Sequence, residues 1–191
     1  MNISLDGYIS GPGCELDWHF NIWSSEMAVF LCEELAKADT ILFGRVTYNA
    51  MAAYWSSKGI NLTAPPEDRA FADMVNRYKK VVFSRTLHQA VWNNTEVVKE
   101  EPAEYIMRLV ESAGCPVMVY GSGKLVRYLI EKNLVDEFHL WVHPVTLGEG
   151  KPLFHDKAKH HLQLERSKLF KNGVVTLCYS VEKETKGRLI S

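Results

Sequence analysis

Three segments place small, hydroxyl or basic residues directly after an apolar run. The first is Phe43-Gly44-Arg45-Val46-Thr47-Tyr48. Gly44 permits a tight turn and a close backbone approach, Arg45 supplies charge, and the Thr47 hydroxyl can bond a phosphate oxygen. The second is Val82-Phe83-Ser84-Arg85-Thr86, where a hydroxyl sits beside a guanidinium. The planar donor fork of arginine suits a phosphate monoester. The third is Val119-Tyr120-Gly121-Ser122-Gly123-Lys124-Leu125. Glycines between a strand and a helix let backbone N–H groups cradle a diphosphate. Each segment also has a plainer reading: a capped strand–helix junction, a solvated strand end, a glycine-rich turn. The third falls short of a P-loop, because Leu125 stands where magnesium binding needs Ser or Thr. Taken together, the three fit a ligand with a diphosphate and a further monoester, and NADPH is such a ligand.

Other candidates are weaker. Asp6 precedes Gly7, so it is either a cleft carboxylate or proton relay, or a turn residue. Asp17 and Trp18 can line a cleft or simply pack. Glu149 lies between two glycines and reads best as a solvated loop acid. His139, Trp141 and His143 alternate along one strand and share a face. A metal would need a third ligand there, so packing is the expectation and no metal site is assigned. No nucleophile with an adjacent base is evident, and hydride transfer needs none, because the cofactor carries the chemistry.

The elements that must position these residues follow from hydrophobic period. Strands are expected over Ile3–Ile9, Thr40–Phe43, Lys80–Ser84, Glu96–Val98, Pro116–Tyr120, Val135–Val142, Leu162–Phe170 and Val174–Val181. Helices are expected from Ser24, over Arg45–Ala53 and Glu67–Tyr78, from Pro102, and from the Gly121-Ser122-Gly123 turn through Ile130. Residues 54–66 read as irregular. Asn172-Gly173 marks a hairpin turn. Strands alternating with helices before a terminal hairpin give an α/β fold with a mainly parallel sheet and antiparallel edges. Open sheets of this kind bind ligands at the carboxyl ends of their strands, where all three segments fall.

The chain has 191 residues, 47% hydrophobic and 24% charged, with 22 basic and 23 acidic side chains. A chain of this size buries roughly 70% of its unfolded surface, so a core forms without a disulfide or metal staple. The expectation is one domain over residues 1–182 and a polar tail over 183–191. A net charge of -1 argues against a nucleic-acid footprint, which needs a basic excess. No apolar run is long enough for a membrane helix. Cys14, Cys32, Cys115 and Cys178 form no metal-ligand spacing, and reduced thiols in a cytoplasmic protein are the expectation.

The order of motifs resembles a known family. Ser4-Leu5-Asp6-Gly7, Leu16-Asp17-Trp18, Gly44-Arg45-Val46-Thr47-Tyr48, Phe83-Ser84-Arg85, Tyr120-Gly121-Ser122-Gly123, Leu134-Val135-Asp136-Glu137 and Pro144-Val145-Thr146-Leu147-Gly148-Glu149-Gly150 follow one another. This order is similar to the dihydrofolate-reductase-like fold. Its nearest branch is the reductase domain of the riboflavin-biosynthesis deaminase-reductase, including stand-alone relatives. The resemblance implies a three-layer α/β/α architecture with a central mixed, mostly parallel sheet of about eight strands. It implies NADPH as cofactor and a homodimer.

By the same resemblance, Gly44, Arg45 and Thr47 meet the diphosphate and 2′-phosphate, and Ser84 and Arg85 surround the adenosine 2′-phosphate. Gly121, Ser122, Gly123, Lys124 and Leu125 pack on the diphosphate and nicotinamide. Asp6 and Trp18 belong to the catalytic cleft, and residues 10–18 form a loop over the nicotinamide. Folate reductases carry a carboxylate five residues after the loop tryptophan, where this chain has Trp23, with Glu26 three residues late. They also place an aromatic residue after the glycine turn, where this chain has Val126. Both departures speak against dihydrofolate as substrate. The expected function is an NADPH-dependent reductase of a small heterocycle, pterin or 5-amino-6-ribosylamino-pyrimidine in type. The alternative is a non-catalytic NADP(H)-binding sensor or interaction protein on the same fold.

Overall fold

The computed structural model describes residues 1–57, 63–154 and 159–182. The expected tail at 183–191 lies outside the described residues, as do 58–62 of the irregular stretch. In chain order the elements begin with β1 (Asn2–Ser4), β2 (Tyr8–Ser10), α1 (Asp17–Phe20), α2 (Ser25–Leu35), β3 (Thr40–Gly44), α3 (Arg45–Trp55) and α4 (Pro66–Arg77). Next come β4 (Lys79–Phe83), β5 (Thr95–Val98), α5 (Pro102–Ser112), β6 (Val117–Val119) and α6 (Gly123–Glu131). The last four are β7 (Glu137–His143), β8 (Lys151–Pro152), β9 (Leu162–Leu169) and β10 (Val175–Val181). These elements group into two compact units, one spanning Asp17–Lys132 and one joining Met1–Leu16 to the chain from Asn133 onward.

The unit of Asp17–Lys132 is built on a parallel sheet of order β5-β4-β3-β6. Its central strands each carry an apolar run, with Ile41, Leu42, Phe43, Val81 and Val82 almost fully buried. A parallel strand covered on both faces needs that continuous pattern. Helix starts carry local signals. The Ser24 hydroxyl accepts the Met27 N–H at 3.3 Å as the cap of α2, while Pro66 and Pro102 occupy the first turns of α4 and α5, where a missing N–H costs nothing. The end of α4 is capped from inside. The Lys80 ammonium is completely buried and donates to the carbonyls of Val75 at 2.7 Å, Asn76 at 3.2 Å and Tyr78 at 2.8 Å.

The other unit holds a four-stranded sheet of order β1-β7-β10-β9 and a two-stranded ladder of β2 with β8. β1 runs parallel to β7, whereas β10 runs antiparallel to both neighbours. The expected hairpin is present, with the Gly173 N–H on the Phe170 carbonyl and the Phe170 N–H on the Val174 carbonyl. Gly173 has φ of +86°, which explains the residue type there. Ile3, Phe138, Leu140, Trp141, Leu153, Phe170 and Val174 make the core, with Trp141 and Phe170 stacked at 5.5 Å.

One expected element is corrected. Ile3–Ile9 is not a single strand: Leu5-Asp6-Gly7 forms a turn between β1 and β2. The Gly7 N–H bonds the Ser4 carbonyl at 3.0 Å, and Gly7 takes φ of +92°. The Asp-Gly turn preference overrides the apolar pattern on either side. The four-residue α1 and two-residue β8 were not expected, being too short to show a period.

Candidate functional site

Parallel register fixes which residues share an edge. Gly44 pairs with Phe83, and Leu42 pairs with Val119. The chain therefore leaves β4, β3 and β6 at the same, carboxyl end of the sheet. All three segments singled out from sequence lie there, on adjacent strands. Neighbouring strands are about 4.8 Å apart, so the outer two segments are separated by roughly 10 Å, a span a dinucleotide can cover. Strands are added from β3 to β4 to β5 in one direction, and β6 then lies on the opposite side of β3. The gap between β3 and β6 is thus a topological switch point, the place where open α/β sheets form a ligand crevice.

Side chains stitch the two junctions at that gap. The Ser122 hydroxyl accepts the Gly44 N–H at 3.0 Å and donates to the Tyr120 carbonyl at 3.1 Å. The Ser122 N–H donates to Thr47 Oγ1 at 3.0 Å. Gly121 has φ of +57°, and a Cβ there would lie 2.9 Å from Thr47 Cγ2. Ser122 itself is buried and left-handed, with φ of 57°. This arrangement holds the N-termini of α3 and α6 side by side. Their first-turn N–H groups, over Arg45–Thr47 and Gly123–Leu125, have no acceptor within their own helices, and helix N-termini favour phosphate. Tyr48, one residue on, is a core anchor. It is fully buried, and its hydroxyl accepts the N–H groups of Val91 at 3.1 Å and Trp92 at 2.9 Å.

Arg45, Arg85 and Lys124 are exposed, and none forms an ion pair among the described residues. Exposed cations on segments that adjoin two helix N-termini suit a phosphate-bearing ligand. Ser84 has a local task as well. Its hydroxyl accepts the N–H groups of Thr86 at 3.2 Å and Leu87 at 2.9 Å, and its own N–H bonds the Val98 carbonyl at 3.0 Å. This turn sets the direction in which the chain leaves β4 and presents Arg85. Lys124 and Leu125 fall in the first turn of α6, with Leu125 buried and Lys124 exposed. Val126 is buried on the same helix.

Asp6 lies in the other unit and acts as a clamp. Its carboxylate accepts the Ser4 hydroxyl at 2.6 Å, the Leu147 N–H at 3.0 and 3.1 Å, and the Gly148 N–H at 2.8 Å. The Ser4 hydroxyl, followed by the backbone bonds, holds the Asp6 carboxyl below its ordinary range. The group is thus an ionised acceptor that fixes the 147–148 backbone. Residues 11–15 fold on themselves: the Gly11 N–H meets the Glu15 carbonyl, the Cys14 N–H meets the Gly11 carbonyl, and the Glu15 carboxylate accepts the Gly13 N–H at 2.9 Å. Lys151 donates to the Cys14 sulfur. Glu149 is exposed.

Trp18 sits on α1, half-buried, edge-on to His19 at 4.9 Å. Sequence reading passed over His19. It is buried, and burial pushes its imidazole down to about 4. Trp23, where folate reductases have a carboxylate, is 38% exposed, and its N–H bonds the Phe20 carbonyl. His19 lies among Trp18, Phe20 and Trp23, and a lone histidine in an aromatic stretch gives no pattern by which to find it.

A family model described as the RibD C-terminal domain matches residues 1–176. The Bacillus subtilis (strain 168) protein YyaP is 34% identical over 180 residues, covering 94% of this chain and 91% of that protein. A solved structure named for riboflavin biosynthesis, from Shewanella sp. PV-4, matches with a TM-score of 0.71 at 18% identity, covering 96% of this chain and 97% of that one. A pyrimidine reductase-like protein from Corynebacterium diphtheriae NCTC matches with a TM-score of 0.64 at 17% identity, covering 96% and 92%. Those structural likenesses carry the α/β fold expected from sequence. With a family model spanning nearly the whole chain, this protein belongs to the RibD C-terminal domain family.

Proposed function

We propose that the chain is an oxidoreductase that binds NADPH along the carboxyl edge of its parallel sheet. Its substrate is a small heterocycle of the pterin or 5-amino-6-ribosylamino-pyrimidine type. The observation that carries this reading is the cradle at the β3–β6 switch point, where Ser122 joins Gly44 and Thr47. Family membership and the pyrimidine reductase-like name of one structural neighbour support the substrate class. Assembly as a homodimer belongs to the same proposal, and light scattering of the purified chain tests it.

When bound, NADPH supplies the hydride. The chain supplies position. The N-termini of α3 and α6 hold the diphosphate, and Arg85 at the end of the neighbouring strand holds the 2′-phosphate. Gly121 keeps the backbone close without a side chain in the way. Asp6 remains ionised and orders the Leu147–Gly148 backbone, so it serves as a hydrogen-bond acceptor rather than as a proton donor. Preorganised donors of this kind lower the cost of orienting the reactants.

The test is a titration with NADPH, followed by a turnover assay with pterins and ribosylamino-pyrimidines. Tight NADPH binding with oxidation by one substrate class supports the proposal. Binding without turnover by any substrate favours a sensor, and no binding of NADPH overturns both.

A further inference from the structure

Three potential metal ligands converge on the sheet of the Asp6-containing unit, outside the cofactor edge. Glu137 and His139 are two apart on β7 and share a face. Cys178 on β10 lies directly opposite His139 in the antiparallel register. Their donor atoms lie within 4.8 Å of one another. His139 Nε2 is 2.9 Å from Glu137 Oε2 and 3.4 Å from Cys178 Sγ, and Sγ is 3.8 Å from the same Glu137 oxygen.

Those edges match a tetrahedral site. Zinc bonds of about 2.3 Å to sulfur, 2.05 Å to nitrogen and 2.1 Å to oxygen give edges of about 3.6 Å (S–N), 3.6 Å (S–O) and 3.4 Å (N–O). The observed distances each differ by about half an ångström or less, within the reach of small rotations. The residue types agree too, since thiolate and imidazole select zinc-like ions over magnesium or calcium. Cys178 is buried, His139 half-buried and Glu137 exposed, so the triad opens to solvent on the carboxylate side. The Arg166 guanidinium reaches Sγ at 3.6 Å from β9. Its charge opposes a cation, and the anionic sulfur and carboxylate together offset it. The β9–β10 register shifts between Cys178 and Tyr179, and such irregularities cluster at sites that re-aim a side chain.

We infer that Glu137, His139 and Cys178 bind one zinc-type divalent ion, with water as the fourth ligand, as a clip between β7 and β10. The competing arrangement is a plain Glu137–His139 ion pair beside a thiol. These ligands and the proposed cofactor edge belong to different units of the chain, and the zinc titration is read without NADPH. Chelator-treated full-length protein is titrated with zinc against a chromophoric competitor, and cobalt(II) is used as the spectroscopic probe. One equivalent should bind, with a thiolate-to-cobalt charge-transfer band. Cys178→Ser should abolish that band and weaken zinc at least tenfold, while Cys14→Ser leaves both unchanged. Glu137→Gln, at an exposed position where folding is undisturbed, should weaken zinc about tenfold and keep the band. This variant decides the question if Cys178→Ser fails to fold. Absence of one-equivalent binding, a band that persists in Cys178→Ser, or unchanged affinity in Glu137→Gln overturns the inference.

Discussion

Adding one methyl group at Gly121 tests how the cofactor cradle is built. Gly121 has φ of +57°, and a left-handed backbone costs an L-residue about 1–2 kcal/mol. The new Cβ would also lie 2.9 Å from Thr47 Cγ2, so Thr47 must shift. That shift strains the 3.0 Å bond from the Ser122 N–H to Thr47 Oγ1, whose net worth is about 1 kcal/mol. Gly121→Ala should therefore destabilise the protein by about 2–3 kcal/mol in urea unfolding. It should also weaken NADPH, because α3 and α6 lose their alignment. The contact contribution can be separated. Thr47→Ser keeps Oγ1 and removes Cγ2, so Gly121→Ala in a Thr47→Ser background should recover about 1 kcal/mol and leave only the backbone cost. A loss below about 0.5 kcal/mol for Gly121→Ala, or no recovery in the double variant, would refute this account of the cradle.

Other expectations rest on separate features. Lys80→Met strands three carbonyls at the end of α4 and should cost about 3 kcal/mol, read as a lower urea midpoint; an unchanged midpoint would contradict it. The folded His19 titrates near 4 and its unfolded form near 6.5, so the unfolded chain alone takes up this proton between those values. Stability should fall as pH drops through that window, and His19→Gln should lose less across it than the wild type. The Asp6 carboxyl is held below 3.8, so its contribution is present above that pH and is lost as pH falls through the folded value. Asp6→Asn should lower the Tm at neutral pH and flatten the acid limb; an unchanged acid limb would show that the clamp is not used.

Legibility in the sequence tracked the range of the interactions involved. The parallel strands around Ile41–Phe43 and Val81–Val82 were readable because burial on both faces demands continuous apolar runs. The three strand-end segments followed from the same runs, and the register of β4, β3 and β6 aligned them. The turn at Leu5-Asp6-Gly7 was masked by apolar neighbours, although its Asp-Gly pair was visible. The partners of Asp6 were hidden, because Leu147 and Gly148 supply backbone N–H groups that no side-chain pattern reports. The task of Ser84 in its own turn is likewise a backbone matter. The triad of Glu137, His139 and Cys178 escaped for another reason. Its cysteine is 39 positions from its histidine, and only the β7–β10 register brings them together.

The central claim is that NADPH lies on the carboxyl edge with Arg85 against its 2′-phosphate. The most direct measurement compares dissociation constants of NADPH and NADH for the wild type and Arg85→Ala. The account predicts that NADPH weakens about tenfold or more, the scale of a charge-assisted hydrogen bond, while NADH changes little. Equal losses for both cofactors, or NADPH affinity that survives the substitution unchanged, would contradict it.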